Sequence, residues 1–252
     1  MKAMILAAGV GSRLRPLTDT CPKALIDING APVLEIVVKR LIKAGCTEII
    51  INVFHLADMI VDFLRARENF GIRIEFSHET ELLDTGGGLK KAADFFDDGQ
   101  AFFLHNVDVL SNIDLKEMHR YHAEKGALAT LAVQTRQTGR YFLFDERDRL
   151  CGWESVAENK KMLARTSQGN VARLAFNGIH LISPEIFSKM SETGAFSINQ
   201  TYLRLAGAGE KILAFHTDEY YWRDIGRLKS LEEIRQEAGK GAKGRWRDLE
   251  RW

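Results

Sequence analysis

Apolar positions recur along this chain at two spacings, and the switch between them outlines its elements. Residues 3–7 are a continuous apolar run of strand length, as in a strand buried on both faces. Val33, Leu34, Val37, Val38, Leu41 and Ile42 follow at helical spacing, and Gly45 supplies a C-terminal stop. Residues 48–53 are rich in β-branched side chains and predict a second strand. The pattern then predicts a helix at 56–67 through Ile60, Val61 and Leu64, an alternating strand at 73–77 and a short helix at 89–96. An apolar strand at 101–105 and a helix at 114–124, capped by Asn112 or Asp114, complete this half. Regular alternation of strand and helix predicts an α/β fold, a Rossmann-like, mostly parallel mixed sheet with helices on both faces.

The second half is less regular. Strands are expected at 128–135, 141–145, 150–154 and 174–182, with a polar loop or flap at 155–170. Helical spacing returns at 184–190 and 198–206, short strands at 212–215 and 221–224, and a last helix at 228–238. No repeat and no Pro/Gly linker divides the chain, so residues 1–238 are expected to form one domain, followed by a basic tail at 239–252.

Composition narrows the function classes. The chain has 252 residues, 45% hydrophobic and 27% charged, with a formal net charge of +1. Those values do not fit a disordered chain or a basic nucleic-acid binder. No apolar stretch approaches the roughly 18 residues of a membrane span, and the N-terminus does not have the pattern of a signal peptide. Cys21, Cys46 and Cys151 are odd in number and widely spaced, which argues against a disulfide framework and for a cytoplasmic setting. The charge is uneven. Lys2, Arg13, Arg15 and Lys23 face only Asp19 within residues 1–25, among glycines, which suggests an anion site.

The most informative stretch runs from Leu6 through Ala8, Gly9, Gly11, Ser12, Arg13 and Pro16 to Thr18, closing with Pro22 and Lys23. It follows the first strand directly, and open α/β sheets bind ligands beyond the carboxyl ends of their strands. Gly9 and Gly11 permit close approach and positive φ, so that backbone N–H groups can cradle phosphate oxygens. Arg13 and Lys23 add full positive charges. A dinucleotide-binding loop would want a third glycine where Leu14 stands and would enter a helix at once. Pro16 and Pro22 are expected instead to keep the chain extended, and no P-loop lysine-serine pair follows. Asp84-Thr85-Gly86-Gly87-Gly88 reads as a glycine turn before a helix, open to a base or sugar. Two aromatic or apolar strands end in carboxylates, Asp108 and Asp224. Such a pair suits Mg²⁺, which takes one or two carboxylates together with phosphate oxygens.

These residues resemble the sugar-1-phosphate nucleotidyltransferases, also called NDP-sugar pyrophosphorylases. The family signature L-A-[AG]-G-x-G-x-R-[LM]-x-P-L-T, then P-K, matches residues 6–18, Pro22 and Lys23, and the likeness extends through Trp222 to Gly226. Within the family, the short length and the run at 84–88 are most similar to the N-acetylmuramic acid 1-phosphate uridylyltransferases, with mannose-1-phosphate guanylyltransferases next. The resemblance implies that the N-terminal half binds nucleotide and the second half sugar. Leu6, Ala8 and Gly9 would line the base and ribose, Gly11, Ser12 and Arg13 would hold the triphosphate, and Lys23 would contact the reacting phosphates. Gly87 would pack against the base, Asp108 and Asp224 would hold Mg²⁺, and Asn177, Gly178 and Glu154 would meet the sugar. The sequence departs from the family at Val107, where relatives carry glycine, and at Arg227, where they carry threonine.

The reaction so implied is Mg²⁺-dependent transfer of a nucleotidyl group from an NTP to a sugar 1-phosphate, with pyrophosphate leaving. Partners would be UTP or GTP and the sugar phosphate, without nucleic acid or membrane, in a monomer or homodimer. Glu79 leads into the glycine run, and a carboxylate only accepts hydrogen bonds. It favours uracil and guanine, whose rings offer an N–H, over cytosine and adenine, and resemblance leans to UTP. Alternatives are a guanylyltransferase, a choline-phosphate cytidylyltransferase using Tyr220, Tyr221 and Trp222 as an aromatic cage, a glycosyltransferase, which would want a second aspartate after Asp108-Val109, and a silent nucleotide-sugar sensor.

Overall fold

The computed structural model describes residues 1–167 and 169–239, so the predicted basic tail, from residue 240 on, lies outside the described residues. Contacts gather the chain into two compact units, each made of separate segments. Among the described residues, the first is Met1–Leu82, His105–Ile113 and residues 220–239; the second is Leu83–Leu104 and Asp114–Glu219.

Parallel pairing holds the first unit together. The strand Lys2–Leu6 lies parallel to Glu48–Val53, which lies parallel to Arg73–His78. The helices Val33–Ala44 and Ala57–Arg65 make the crossovers. Ile49, Ile51 and Val53 of the middle strand have no exposed surface, which explains why it is apolar but for Glu48 and Asn52. The helix Val33–Ala44 buries Val33, Leu34, Val37, Val38 and Leu41, as its spacing predicts. It stops where Gly45 turns to φ +103°. The register places Leu6 opposite Asn52 and Asn52 opposite Ser77. The loops that follow these strands therefore leave from one edge, which is where the chemistry-bearing residues cluster.

The second unit is where the sheet becomes mixed. Lys160–Leu163, Leu150–Ser155, Arg140–Phe144, Ala172–Ile182 and Ala129–Gln134 pair antiparallel in that order, and Ile212–His216 then joins Ala129–Gln134 in parallel. Its core stacks Phe96 on Phe102 at 3.7 Å between ring centroids, and Phe187 stacks on Phe102 at 5.6 Å. Tyr202 is fully buried, and its hydroxyl is 2.8 Å from His180 Nδ1. The helix Leu115–Lys125 is capped by Asp114, one of the two expected caps, whose carboxylate accepts from the N–H groups of Lys116 and Glu117 at 2.9 Å each.

Three local expectations are corrected, and one element is added. Residues 155–170 are not wholly a loop, since Lys160–Leu163 forms a hairpin with Leu150–Ser155. The glycines at 86–88 do not precede a helix but sit inside one, Asp84–Lys91. Pro16 and Pro22 do not keep the chain extended: it folds into three short 3₁₀ turns, Ser12–Leu14, Leu17–Asp19 and Lys23–Leu25. The strand Val109–Ser111 is absent from the expected elements. It is too short to show a period, and it exists because Trp222–Asp224 pairs with it.

Candidate functional site

Most of the predicted site residues lie in the first unit. Leu6 ends its strand, Ala8 is buried and Gly9 is exposed. Of the two loop glycines only Gly11 takes a positive φ, +64°; Gly9 does not, so the expectation of left-handed backbone holds at one of them. A side chain on Gly11 would also come within 2.8 Å of Thr18 Cγ2. Thr18 is buried, and its hydroxyl donates to the Gly11 carbonyl at 2.9 Å, while the Leu14 N–H donates to the same carbonyl at 2.8 Å. With Leu14 fully buried, these bonds fix a short loop that leaves Ser12 and Arg13 exposed.

The two strand-end aspartates are brought together by the antiparallel ribbon of Val109–Ser111 and Trp222–Asp224. Asp224 is in register with Val109, and the Ile225 N–H donates to the Asp108 carbonyl at 3.0 Å. The Lys23 ammonium forms an ion pair with the Asp108 carboxylate; their side chains are 12% and 15% exposed. Asp224 accepts a hydrogen bond from the Gly226 N–H. Burial, then the negative charge of Asp108, push the Asp224 carboxyl above the usual range, against the pull of Lys23 and Arg13. Gly226 is the hub. A side-chain carbon there would lie 2.6 Å from Asp224 Oδ1, 3.0 Å from an Arg13 guanidinium nitrogen and 3.3 Å from Lys23 Nζ. One carboxylate and two cations thus converge on a point that only glycine leaves open, and Asp108 joins them through Lys23.

Two facing carboxylates, one of them pushed toward protonation by burial and then by the other, form a donor set that suits a hard divalent cation completed by phosphate oxygens. No larger cluster of His, Cys, Asp or Glu that could hold a metal occurs among the described residues. Val107 causes no distortion beside Asp108: it takes no positive φ, is buried, and its N–H donates to the Leu6 carbonyl at 3.2 Å. Arg227 is exposed. His105 is fully buried and not catalytic in character, with burial pushing it down to about 3.

Glu79 is no solvated loop residue. It is 8% exposed, and Oε1 accepts from Asn52 Nδ2 at 2.8 Å. Asn52, which sequence reasoning missed, also accepts the Ala7 N–H at 2.7 Å. The available signal was an amide inside an otherwise apolar strand, after Ile49, Ile50 and Ile51. Tyr221, proposed for an aromatic cage, is buried and donates its hydroxyl to Glu237 at 2.9 Å, so it offers no open ring face.

The second unit holds the rest. Gly86 and Gly87 pack tightly: a side chain on Gly86 would meet the Phe196 ring at 2.3 Å, and one on Gly87 the Gly194 carbonyl at 2.4 Å. Both N–H groups donate to the Phe196 carbonyl, at 2.8 and 3.2 Å. Asn177 is fully buried, and its Nδ2 donates to Thr217 Oγ1 at 2.8 Å. It precedes Gly178, whose φ of +74° falls where the strand register shifts. Arg136 donates to the Phe176 carbonyl at 2.8 Å and braces the same bend. Glu154 pairs with Arg173 at 3.0 Å, and that guanidinium lies over the Tyr141 ring at 4.6 Å.

The chain is similar to proteins of known assignment. It is 32% identical over 245 residues to a UTP–glucose-1-phosphate uridylyltransferase from Synechocystis, covering 90% of this chain and 61% of that protein. It is 30% identical over 234 residues to mannose-1-phosphate guanyltransferase beta-B from Xenopus laevis, covering 92% of this chain and 62% of that one. The chain thus spans about three fifths of the length of these curated relatives. The crystal structure of a UDP-glucose pyrophosphorylase complexed with UDP-glucose superposes with a TM-score of 0.76 at 19% identity, covering 96% of this chain and 99% of that one, which shows a shared fold. The family model described as nucleotidyl transferase matches residues 2–241, and the chain belongs to that family.

Proposed function

We propose that this protein transfers a nucleotidyl group from an NTP, UTP by preference, to a sugar 1-phosphate, giving an NDP-sugar and pyrophosphate. The observation that carries the proposal is the convergence of Arg13, Lys23 and Asp224 around Gly226, with Asp108 joined to them through its ion pair with Lys23, beside the glycine loop that follows the first strand. Family membership and the kinship to both uridylyl- and guanylyltransferases support the reaction class.

The chemistry asks little of a protein beyond position and charge. The phosphate oxygen of the sugar 1-phosphate attacks the α-phosphorus in line, the bond to the β-phosphate oxygen breaks, and pyrophosphate departs with that electron pair. The nucleophile is already an anion, so no general base is needed. Exposed backbone along Gly9 to Ser12 would receive the triphosphate. Arg13 would bind the leaving pyrophosphate, and Lys23 would stabilise charge developing at the α-phosphate. Asp108 and Asp224 would hold Mg²⁺, which when bound lowers the repulsion between the two anionic reactants. Asn177, Gly178 and Glu154 would meet the sugar, with Asn177 held rigid by Thr217.

Asp108→Ala and Asp224→Ala test the assignment. Each should reduce turnover by orders of magnitude at saturating Mg²⁺ while thermal unfolding stays cooperative. Near wild-type turnover in both would remove the metal role.

A further inference from the structure

A buried amide ties the start of the glycine loop to Glu79. Asn52 is 3% exposed, and it bonds the Ala7 N–H through Oδ1 and Glu79 Oε1 through Nδ2. A main-chain N–H can only donate, so Ala7 must face the amide oxygen. That requirement turns the amide NH₂ of Asn52 toward position 79 and leaves it no choice of orientation. Position 79 must in turn offer an acceptor to Asn52. The Glu79 main-chain N–H also donates to the Val53 carbonyl at 2.9 Å, so this residue is held at both backbone and side chain.

We infer that Asn52 is a positioning residue for nucleotide selection: with its amide locked by Ala7, it holds the Glu79 carboxylate, an acceptor in any orientation, at the base edge, and it would set the polarity of an amide placed at 79. The inference rests on Glu79 facing the base edge in the proposed reaction. A carboxylate has about four lone-pair sites, so one bonded to Asn52 still acts toward a base only as an acceptor, which matches uracil N3–H or guanine N1–H. An amide at 79 would have no such freedom. In Glu79→Gln, the glutamine oxygen is claimed by Asn52, so its NH₂ is turned to the base, where it matches the ring acceptor of cytosine N3 or adenine N1. In the double variant that combines Asn52→Asp with Glu79→Gln, the carboxylate introduced at position 52 accepts both the Ala7 N–H and the glutamine NH₂. The glutamine oxygen is then returned to the base.

The test is competition kinetics with UTP, GTP, CTP and ATP on the full chain, each variant checked by thermal unfolding. The readout is the ratio of kcat/KM for UTP or GTP to that for CTP or ATP. Glu79→Gln should lower that ratio about tenfold or more, since it sets a buried donor against the ring N–H of uracil or guanine. The double variant should bring it back to within about threefold of wild type, a reversal that a purely structural bond would not produce. A double variant that keeps the Glu79→Gln ratio overturns the inference. A Glu79→Gln ratio equal to that of wild type overturns it together with the base-facing reading of Glu79. If the double variant does not fold, Asn52→Ala decides. It should narrow the ratio several-fold, and a uniform loss for all four nucleotides overturns the inference. Wild type transferring no nucleotide would overturn the proposed function itself, and the inference with it.

Discussion

Lys23 and Asp108 stand 85 positions apart in the chain and form an ion pair at the carboxyl edge of the first unit. Each is mostly withdrawn from solvent, so the pair holds Lys23 over the aspartate in the absence of substrate. A substrate phosphate would compete with Asp108 for the ammonium, and a divalent cation would compete with the ammonium for Asp108.

Lys23→Ala should therefore lower kcat by about 10²–10³-fold, the range for loss of one charge-stabilising donor. KM for the nucleotide should change much less. Arg13, exposed on the loop, should behave in the opposite way. Arg13→Ala should raise the nucleotide KM by about tenfold to a hundredfold, as for loss of a charge-assisted hydrogen bond. Steady-state kinetics on both variants checks the split, and equal effects on kcat and KM in the two would contradict it.

Gly226→Ala should cut activity more than tenfold with little change in melting temperature. The added methyl would sit against the Asp224 carboxylate, the Arg13 guanidinium and the Lys23 ammonium, all side-chain ends that can shift, but only by leaving their places in the site. Gly87→Ala should act on stability instead. Its methyl would press on the main-chain carbonyl of Gly194, which cannot yield cheaply, so we expect about 1–3 kcal/mol of destabilisation. Parallel unfolding and activity measurements separate the two glycines.

The contrast shows what was legible in the sequence. The parallel core of the first unit could be read because Ile49, Ile51 and Val53 form one apolar run and the crossover helices keep a clear period. The loop from Gly9 to Lys23 was legible in its positive-φ turn at Gly11 but not in its course, because Pro16 and Pro22 are as compatible with successive 3₁₀ turns as with an extended chain. Gly86 and Gly87 were ambiguous because a glycine needed for close helix packing looks the same in sequence as one needed for a turn. Asn52 was passed over because its meaning lies in two partners, Ala7 and Glu79, that sequence alone does not bring to it. The ribbon that joins Asp108 to Asp224 depends on pairing between residues more than a hundred positions apart, and no local period announces it.

Acid should weaken the second unit through His122. It is buried between Thr130 Oγ1 at 2.9 Å and Ser183 Oγ at 3.0 Å. Ser183 donates its own proton to the Ala127 carbonyl, so Nε2 of His122 carries the ring proton and Nδ1 accepts from Thr130. Burial, then nearby His119, pushes the imidazole down to about 4. The unfolded chain, with an ordinary value of about 6.5, binds the proton first. Stability from this group is thus complete above about pH 6.5 and is lost as pH falls toward 4. Denaturant melts between pH 7 and pH 4 should show this slope, and His122→Gln should reduce it, leaving the share of buried His105; an unchanged slope in the variant would contradict the assignment.

The most direct test of nucleotidyl transfer is to follow products by ³¹P NMR while each NTP is mixed with a panel of sugar 1-phosphates and Mg²⁺. The expected result is an NDP-sugar and pyrophosphate appearing one for one, fastest with UTP, and neither appearing when the sugar phosphate is left out. Pyrophosphate released from NTP without a sugar phosphate, or no product with any pair on the panel, would contradict it.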